Sequence, residues 1–254
     1  MEMLSTDAKL TELVNRLKEF AAMNLECVIL VGSATREDFR AGQSDLNVVC
    51  ILHSLALEEL GRVAEVVKWW CTEQREPAPL FFTAEDLRNA AGVFAIEILD
   101  MKQGRRVLYG SDVVANIEVP MNLHRVQIEH DLRTILLKLR QHYLRAPGTT
   151  KELAPIMRKS FSSVLTLLRH TVIAFGEEPP VPAHEIVARA AALAGCTTSA
   201  FDALLRLRET GELPGEIIPL YGAYISALEK ILSALEHQFP KREWRRVKNA
   251  HSSV

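Results

Sequence analysis

Two apolar segments separated by a polar stretch constrain the fold of this chain more than any other feature. Residues 25–31 and 46–52 are rich in Val, Ile and Leu, a composition typical of buried β-strands. The first segment runs directly into Gly32 and Ser33, and Asp45 opens the second predicted strand, which covers residues 45–52. The residues between them are polar and include another glycine, which predicts a loop or a short helix. The sequence therefore predicts two strands joined by a polar connection.

Length and charge narrow the classes of protein to which the chain can belong. At 254 residues it is long enough for two modest domains, each with its own core. A formal net charge of -2 does not indicate general affinity for nucleic acid or acidic membranes. The four cysteines are widely spaced, and no Cys or His cluster predicts a zinc site.

The N-terminal sequence and the hydropathy pattern predict a cellular location. The N-terminus is charged and amphipathic, unlike a signal peptide. No apolar run approaches the ~20 residues that a membrane-spanning helix needs. We therefore expect a cytoplasmic protein without a membrane partner.

Apolar periodicity predicts a first domain that contains both helices and strands. A helix capped by Ser5 or Thr6 precedes the first strand, and another helix is expected over residues 55–71. Residues 80–82 form a short predicted strand, and Thr83 then caps a short helix. The apolar and β-branched residues 93–101 predict a further strand. We assign this domain to residues 1–118.

After Pro120 the pattern becomes helical. A long amphipathic helix is predicted over residues 123–143. Further helices are expected between turns marked by proline and glycine, at residues 151–175, 182–195, 198–209 and 216–238. The predicted fold class is α+β, with an all-α helical bundle over residues 119–254 that ends in a basic tail.

The residues that could bind a ligand or take part in a reaction lie where the first apolar segment ends and the second begins. Gly32 has no side chain, so backbone N–H groups at the end of the first strand can approach a phosphate, and Ser33 adds a hydroxyl donor. Asp45 and Asn47 are two residues apart in a predicted strand and so project from one face. Oxygen ligands of this kind suit Mg²⁺, which could bridge the phosphates of a nucleoside triphosphate.

These residues resemble the signature of the nucleotidyltransferase superfamily, whose fold is that of DNA polymerase beta. The match consists of the first strand, Gly32-Ser33, and Ser44-Asp45-Leu46-Asn47 at the start of the second. The resemblance implies a mixed sheet followed by helices. It also implies transfer of a nucleoside monophosphate from an NTP such as ATP to a small-molecule or protein acceptor, using two Mg²⁺ (or Mn²⁺) ions.

The resemblance also assigns roles to residues. Gly32, Ser33 and the basic Arg36 correspond to nucleotide-binding positions. Asp45 corresponds to the first metal-binding carboxylate, whereas Asn47 occupies the position of the second and brings no charge. Loss of one carboxylate should weaken a two-metal site.

The third carboxylate of such a site has two candidates in the predicted strand 93–101. Glu97 and Asp100 both lie between apolar neighbours, on opposite faces of a regular strand, so at most one faces Asp45. Glu97 is preferred as a catalytic and metal-binding residue, and Asp100 is the alternative metal ligand. The favoured alternative is that these acids are structural or partly solvated rather than catalytic, and Arg105 or Arg106 could then supply the partner that a buried acid needs.

Two other interpretations stay open. The chain could be a catalytically degenerate relative that binds a nucleotide or a protein, since Asn47 replaces a carboxylate. Its helical domain is then a candidate surface for a homodimer or another protein partner, whereas nucleic acid is not expected.

Arg125 and His130 have the spacing of a motif of the helical HEPN ribonucleases. Two side chains that are five residues apart on a helix do not share a face well, however, which argues against this interpretation. The tail over residues 241–248 is interpreted as a frayed helix end.

Overall fold

A computed structural model describes residues 5–35, 45–145, 150–212 and 216–238. The chain divides into two compact units, Met1–Gln127 and Ile128–Val254. The first combines a small sheet with helices, and the described part of the second is helical. The predicted α+β fold class, with a mixed sheet followed by a helical region, is confirmed.

The first unit contains a helix, two strands, a helix, a strand, two helices and a strand in chain order. These are α1 (Thr6–Ala21), β1 (Leu25–Val31), β2 (Asn47–Leu52), α2 (Leu57–Thr72), β3 (Leu80–Phe82), α3 (Ala84–Ala90), α4 (Ala95–Gln103) and β4 (Arg105–Gly110). The two predicted caps are confirmed. The Ser5 side chain accepts the Ala8 N–H at 3.3 Å, and Thr83 forms a capping box with Asp86.

The four strands form one mixed sheet in the order β3-β2-β1-β4. The central strand β1 is antiparallel to both of its neighbours, whereas β2 and β3 are parallel. At the end of β1, Val31 pairs with Asn47 on one side and with Arg105 on the other. The sheet register therefore brings residues from β2 and β4 to the end of β1, where Gly32 begins.

Both faces of the sheet are buried, which explains why β1 and β2 read as continuous apolar runs. One face packs Leu30 and Val48 with residues of α1 and α2, including the fully buried Trp70. The other face packs Ile29 and Val49 with residues of α3 and α4. Burial of both faces holds the end of β1 in a fixed position between two apolar layers.

The strand predicted over residues 93–101 is wrong, because these residues form helix α4. Ala95, Ile98 and Met101 are buried and recur at the spacing of one helix face. The Gln127 side chain also accepts the Ile96 N–H at 2.9 Å and so satisfies a donor in the first turn of the helix. This tertiary bond stabilises a helix that local β-propensity does not predict.

The second unit confirms the predicted helices. They are α5 (Met121–Arg145, which starts just before the division), α6 (Thr150–Ala174), α7 (Ala183–Ala194), α8 (Ser199–Thr210) and α9 (Ile217–Gln238). Phe161, Phe201 and Tyr224 form an aromatic cluster with ring centroids 6.2–6.5 Å apart. Burial raises the pKa of the Tyr224 hydroxyl, which hydrogen-bonds Ser160 at 3.2 Å. Among the described helices, none is long and apolar enough to cross a membrane.

Candidate functional site

The turn that follows β1 is held by two specific hydrogen bonds. Residues Gly32–Thr35 form a short 3-10 turn in which Gly32 has φ +83°, a conformation that favours glycine. The Thr35 hydroxyl donates to the Gly32 carbonyl oxygen at 2.7 Å. The Gly32 N–H donates to the carbonyl oxygen of Gly104 at 3.1 Å. The turn is thereby fixed to the segment between α4 and β4.

Gly104 allows this close approach because it has no side chain. A methyl group at Gly104 would lie 2.9 Å from the Thr35 hydroxyl oxygen, closer than real side chains allow. Since the Gly32 N–H already has an acceptor in Gly104, a phosphate at this turn would meet the backbone that follows Gly32. The nucleotide-binding role of Gly32 and Ser33 stays a prediction.

Asn47 lies beside this turn. A methyl group placed on Gly32 would be 3.7 Å from Asn47 Nδ2, and Asn47 pairs with Val31 in the sheet. Strand β2 begins at Asn47, so Asp45 precedes the strand rather than opening it. Asp45 and Asn47 are nevertheless both exposed, with buried Leu46 between them. The alternation agrees with the predicted placement of both side chains on the same side of the chain.

Glu97 and Asp100 lie on α4, not on a strand. Being three residues apart on a helix, they are neighbours along one side, so the prediction of opposite strand faces is wrong. Glu97 is exposed in the first turn of α4, where its carboxylate accepts the Gln127 side-chain N–H at 2.8 Å. Asp100 is half-buried near the other end, and its carbonyl oxygen accepts the Gly104 N–H at 2.9 Å. Of the two acids, Asp100 is therefore the one whose backbone is linked to the Gly32 turn.

The described residues do not assemble a carboxylate cluster for two metal ions. In the part of the chain that the structure describes, no group of three or more His, Cys, Asp and Glu side chains could hold a metal ion. Asp45, Glu97 and Asp100 consequently do not form such a group. Of the predicted oxygen donors, the Asn47 amide lies beside Gly32, and the exposed Asp45 carboxylate is two residues earlier in the chain. An amide and a carboxylate of this kind could serve one hard cation with additional ligands from water or phosphate. Arg36 lies outside the described residues.

A fixed arginine borders the turn on the β4 side. Arg105, which pairs with Val31 in the sheet, holds the Asp112 carboxylate with its Nε atom at 2.8 and 3.0 Å. It also donates to the carbonyl oxygen of Lys102. The hydrogen bond from Arg105 lowers the pKa of the Asp112 carboxyl. Arg106 instead pairs with Asp7 of α1 at 2.9 Å. Both arginines thus have carboxylate partners other than the two acids of α4 for which the sequence suggested them.

The segment between Asp45 and Asn47 has an anchor that sequence reasoning missed. The Leu46 N–H donates to the Glu76 carboxylate at 3.0 Å, and Glu76 also pairs with Lys9 at 3.0 Å. Glu76 lies in a polar connection after α2 with no periodic pattern. The only local signal was a charged residue directly before Pro77, which does not reveal its partner.

Comparison with known proteins identifies the fold. No family model matches the sequence, and no curated protein matches it. Among solved structures, the chain resembles the spectinomycin adenyltransferase AAD(9) from Enterococcus faecialis, crystallised with ATP and spectinomycin. The TM-score is 0.55 at 11% sequence identity, over 91% of this chain and 100% of the other. The chain accordingly has an α+β nucleotidyltransferase-like fold.

Proposed function

We propose that this protein binds a nucleoside triphosphate at the turn after β1 and transfers its nucleoside monophosphate to an acceptor. The observation that supports this proposal is the position of Asn47 beside Gly32 at the end of β1, with the exposed Asp45 two residues away in the chain. Such an arrangement would combine a backbone turn, one carboxylate and one amide at one end of the sheet. The fold likeness to an ATP-binding adenyltransferase agrees with it.

Asp45 and Asn47 would have different roles at the cation, because only Asp45 carries a charge. Asp45 would supply the anionic ligand to a divalent cation, and Asn47 would supply a neutral oxygen ligand. A bound Mg²⁺ or Mn²⁺ would neutralise charge on the phosphate oxygens. The turn Gly32–Thr35 would orient the triphosphate through its backbone N–H groups. Asp100, or Glu97 if Gln127 releases it, is the candidate for an additional acid.

The acceptor is proposed to be a small molecule or a protein side chain with a nucleophilic oxygen. The adenyltransferase of similar fold was crystallised with a small molecule, spectinomycin, beside ATP. Transfer to such an acceptor would release pyrophosphate, since the α-phosphate forms a new bond as the bond to the β-phosphate oxygen breaks.

A second candidate function is a nucleotide-binding or protein-interaction module without transferase activity. Two observations favour it. Asn47 contributes no charge at the position next to Gly32, and the Glu97 carboxylate is engaged by Gln127. In that case the helical unit would be the surface for a homodimer or another protein partner.

Thermal unfolding with each NTP, in the presence and absence of Mg²⁺ or Mn²⁺, tests both functions. A ligand at 100 times its Kd stabilises the folded state by about 2.7 kcal/mol, a readily measured shift. We expect a cation-dependent shift that disappears in Asp45→Ala and persists in Glu65→Ala, which removes an exposed acid of α2. Pyrophosphate release in the same samples then separates a transferase from a binding module. Absence of any nucleotide-dependent shift in the native chain would contradict both the transferase and the nucleotide-binding module.

A further inference from the structure

The Asp45–Asn47 segment is tied to the rest of its unit by the carboxylate of Glu76, which lies outside the strands of the sheet. Glu76 has only 12% of its side chain exposed, and its partner Lys9 has 17%. One carboxylate oxygen of Glu76 accepts the Lys9 ammonium at 3.0 Å. The other accepts the backbone N–H of Leu46 at 3.0 Å. Both oxygens are therefore used, and the second bond fixes the peptide between Asp45 and Leu46.

The connection that carries Glu76 is itself held in place. Lys9 also donates to the Gln74 carbonyl oxygen at 3.2 Å, so one ammonium joins α1 to two points of this connection. The indole N–H of the fully buried Trp70 donates to the Pro77 carbonyl oxygen at 2.9 Å. Arg75 adopts φ +58°, a left-handed conformation that is uncommon outside glycine. A rigid support of this kind transmits its position to the group that it binds.

We infer that Glu76 is a positioning residue for the nucleotide site, acting through the Leu46 backbone on the Asp45 and Asn47 side chains. Asp45 lies outside β2, so no strand pairing fixes it. Two contacts order the chain there: the Leu46 side chain is buried in the apolar core, and its N–H donates to Glu76. Charged acceptors form stronger and shorter bonds to N–H groups than neutral ones do. The inference rests on the proposed function, because it assigns Glu76 a role in that same site.

The test compares Glu76→Ala with a substitution in an exposed ion pair between α1 and the sheet. Asp7 and Arg106 form that pair at 2.9 Å, with 79% and 49% of their side chains exposed. We expect Glu76→Ala to weaken Mg²⁺–ATP binding about tenfold, the effect of losing one charge-assisted hydrogen bond. Asp7→Ala should leave this affinity within about twofold, since it touches no residue of the site. Both affinities are measured by calorimetry at a temperature where each variant is folded.

A second variant separates positioning from stability. In the double variant Lys9→Met, Glu76→Gln, the amide oxygen of glutamine can still accept the Leu46 N–H, while the two largely buried charges are gone. We expect this variant to bind Mg²⁺–ATP within about threefold of the native chain. A loss equal to that of Glu76→Ala would overturn the role of the Leu46 hydrogen bond.

Amide hydrogen exchange gives a readout that needs no nucleotide. The Leu46 amide should exchange at least about tenfold faster in Glu76→Ala and at the native rate in Asp7→Ala. If the native chain binds no nucleotide, the proposed function fails, and the exchange rate alone decides whether Glu76 orders this segment. Unchanged Leu46 exchange in a folded Glu76→Ala, or native affinity for Mg²⁺–ATP in that variant, would overturn the inference.

Discussion

The side-chain amide of Asn47 lies beside Gly32, with Nδ2 3.7 Å from where a methyl group on that glycine would be. Antiparallel pairing of Asn47 with Val31 produces this contact. The residue that stands at the position of the second carboxylate is consequently beside the turn that we expect to receive the phosphates. Substitutions at both positions test what this contact does.

Replacing the amide of Asn47 with a carboxylate should make the beginning of β2 a stronger cation site. We expect Asn47→Asp to raise Mg²⁺ affinity by about tenfold or more, because the second anionic ligand adds Coulomb attraction. Without metal, the new repulsion from Asp45 should lower the melting temperature, and Mg²⁺ should restore it. Calorimetric titration with Mg²⁺ and Mn²⁺ measures the change. Asn15→Asp, on an exposed position of α1, is the matched control and should show no response to metal.

The backbone conformation of Gly32 should make this position intolerant of any side chain. We expect Gly32→Ala to lower the free energy of unfolding by about 1–2 kcal/mol, because an L residue at positive φ is strained even where space is available. Gly61, within α2, has no atom within 4 Å of the place where a methyl group would lie. Gly61→Ala should instead stabilise the protein by roughly 0.5–1 kcal/mol. Urea unfolding of both variants checks the opposite signs, and equal effects would argue against strain at Gly32.

The two acids of α4 should differ in their effect on nucleotide binding. Asp100 precedes Gly104, which accepts the Gly32 N–H, whereas Glu97 lies a turn earlier and bonds Gln127. We therefore expect Asp100→Asn to reduce the Mg²⁺-dependent thermal shift with ATP more than Glu97→Gln does. Titration of both variants with Mg²⁺–ATP measures this difference. A larger loss in Glu97→Gln would instead favour Glu97 as the additional acid of the site.

The Arg105–Asp112 pair should make the free energy of unfolding depend on pH in the acid range. Since the hydrogen bond from Arg105 lowers the pKa of Asp112, the pair stabilises the folded state above about pH 4 and loses this contribution as pH falls through the lowered pKa. Asp112→Asn should cost about 1 kcal/mol at pH 7. The difference between native and variant should shrink below about pH 4. Urea unfolding between pH 3 and 7 follows it, and a difference that is constant with pH would show that the charge contributes nothing.

Much of the fold could be predicted because its signals are local. Strands β1 and β2 are buried on both faces, so their apolar runs are visible in the sequence, and only the start of β2 differed, by the two residues Asp45 and Leu46. The helices of the second unit repeat the apolar spacing of their buried faces. Helix α4 was missed because the Gln127 side chain, far along the chain, satisfies its first turn.

Only part of the candidate site could be predicted from the sequence. Proximity of Gly32 and Asn47 follows from strand pairing, so it could be anticipated from two adjacent strand motifs. The anchor at Glu76 and the approach of Gly104 could not, because each depends on tertiary contacts between segments with no common pattern. The prediction for the third acid placed both candidates, Glu97 and Asp100, on a strand, whereas they lie on helix α4.

The central position of β1 has a consequence for how the chain is made. Cys27 pairs with Ile51 on one side and with Gly110 on the other, so the middle strand is synthesised long before its second neighbour. On the ribosome, the sheet can be completed only after residue 110 has emerged, and until then one edge of an apolar strand is exposed. Pairing across such a distance slows folding, whereas helices form from neighbouring residues. During translation, β1 therefore has an unpaired edge, open to association with other chains, until β4 has been made.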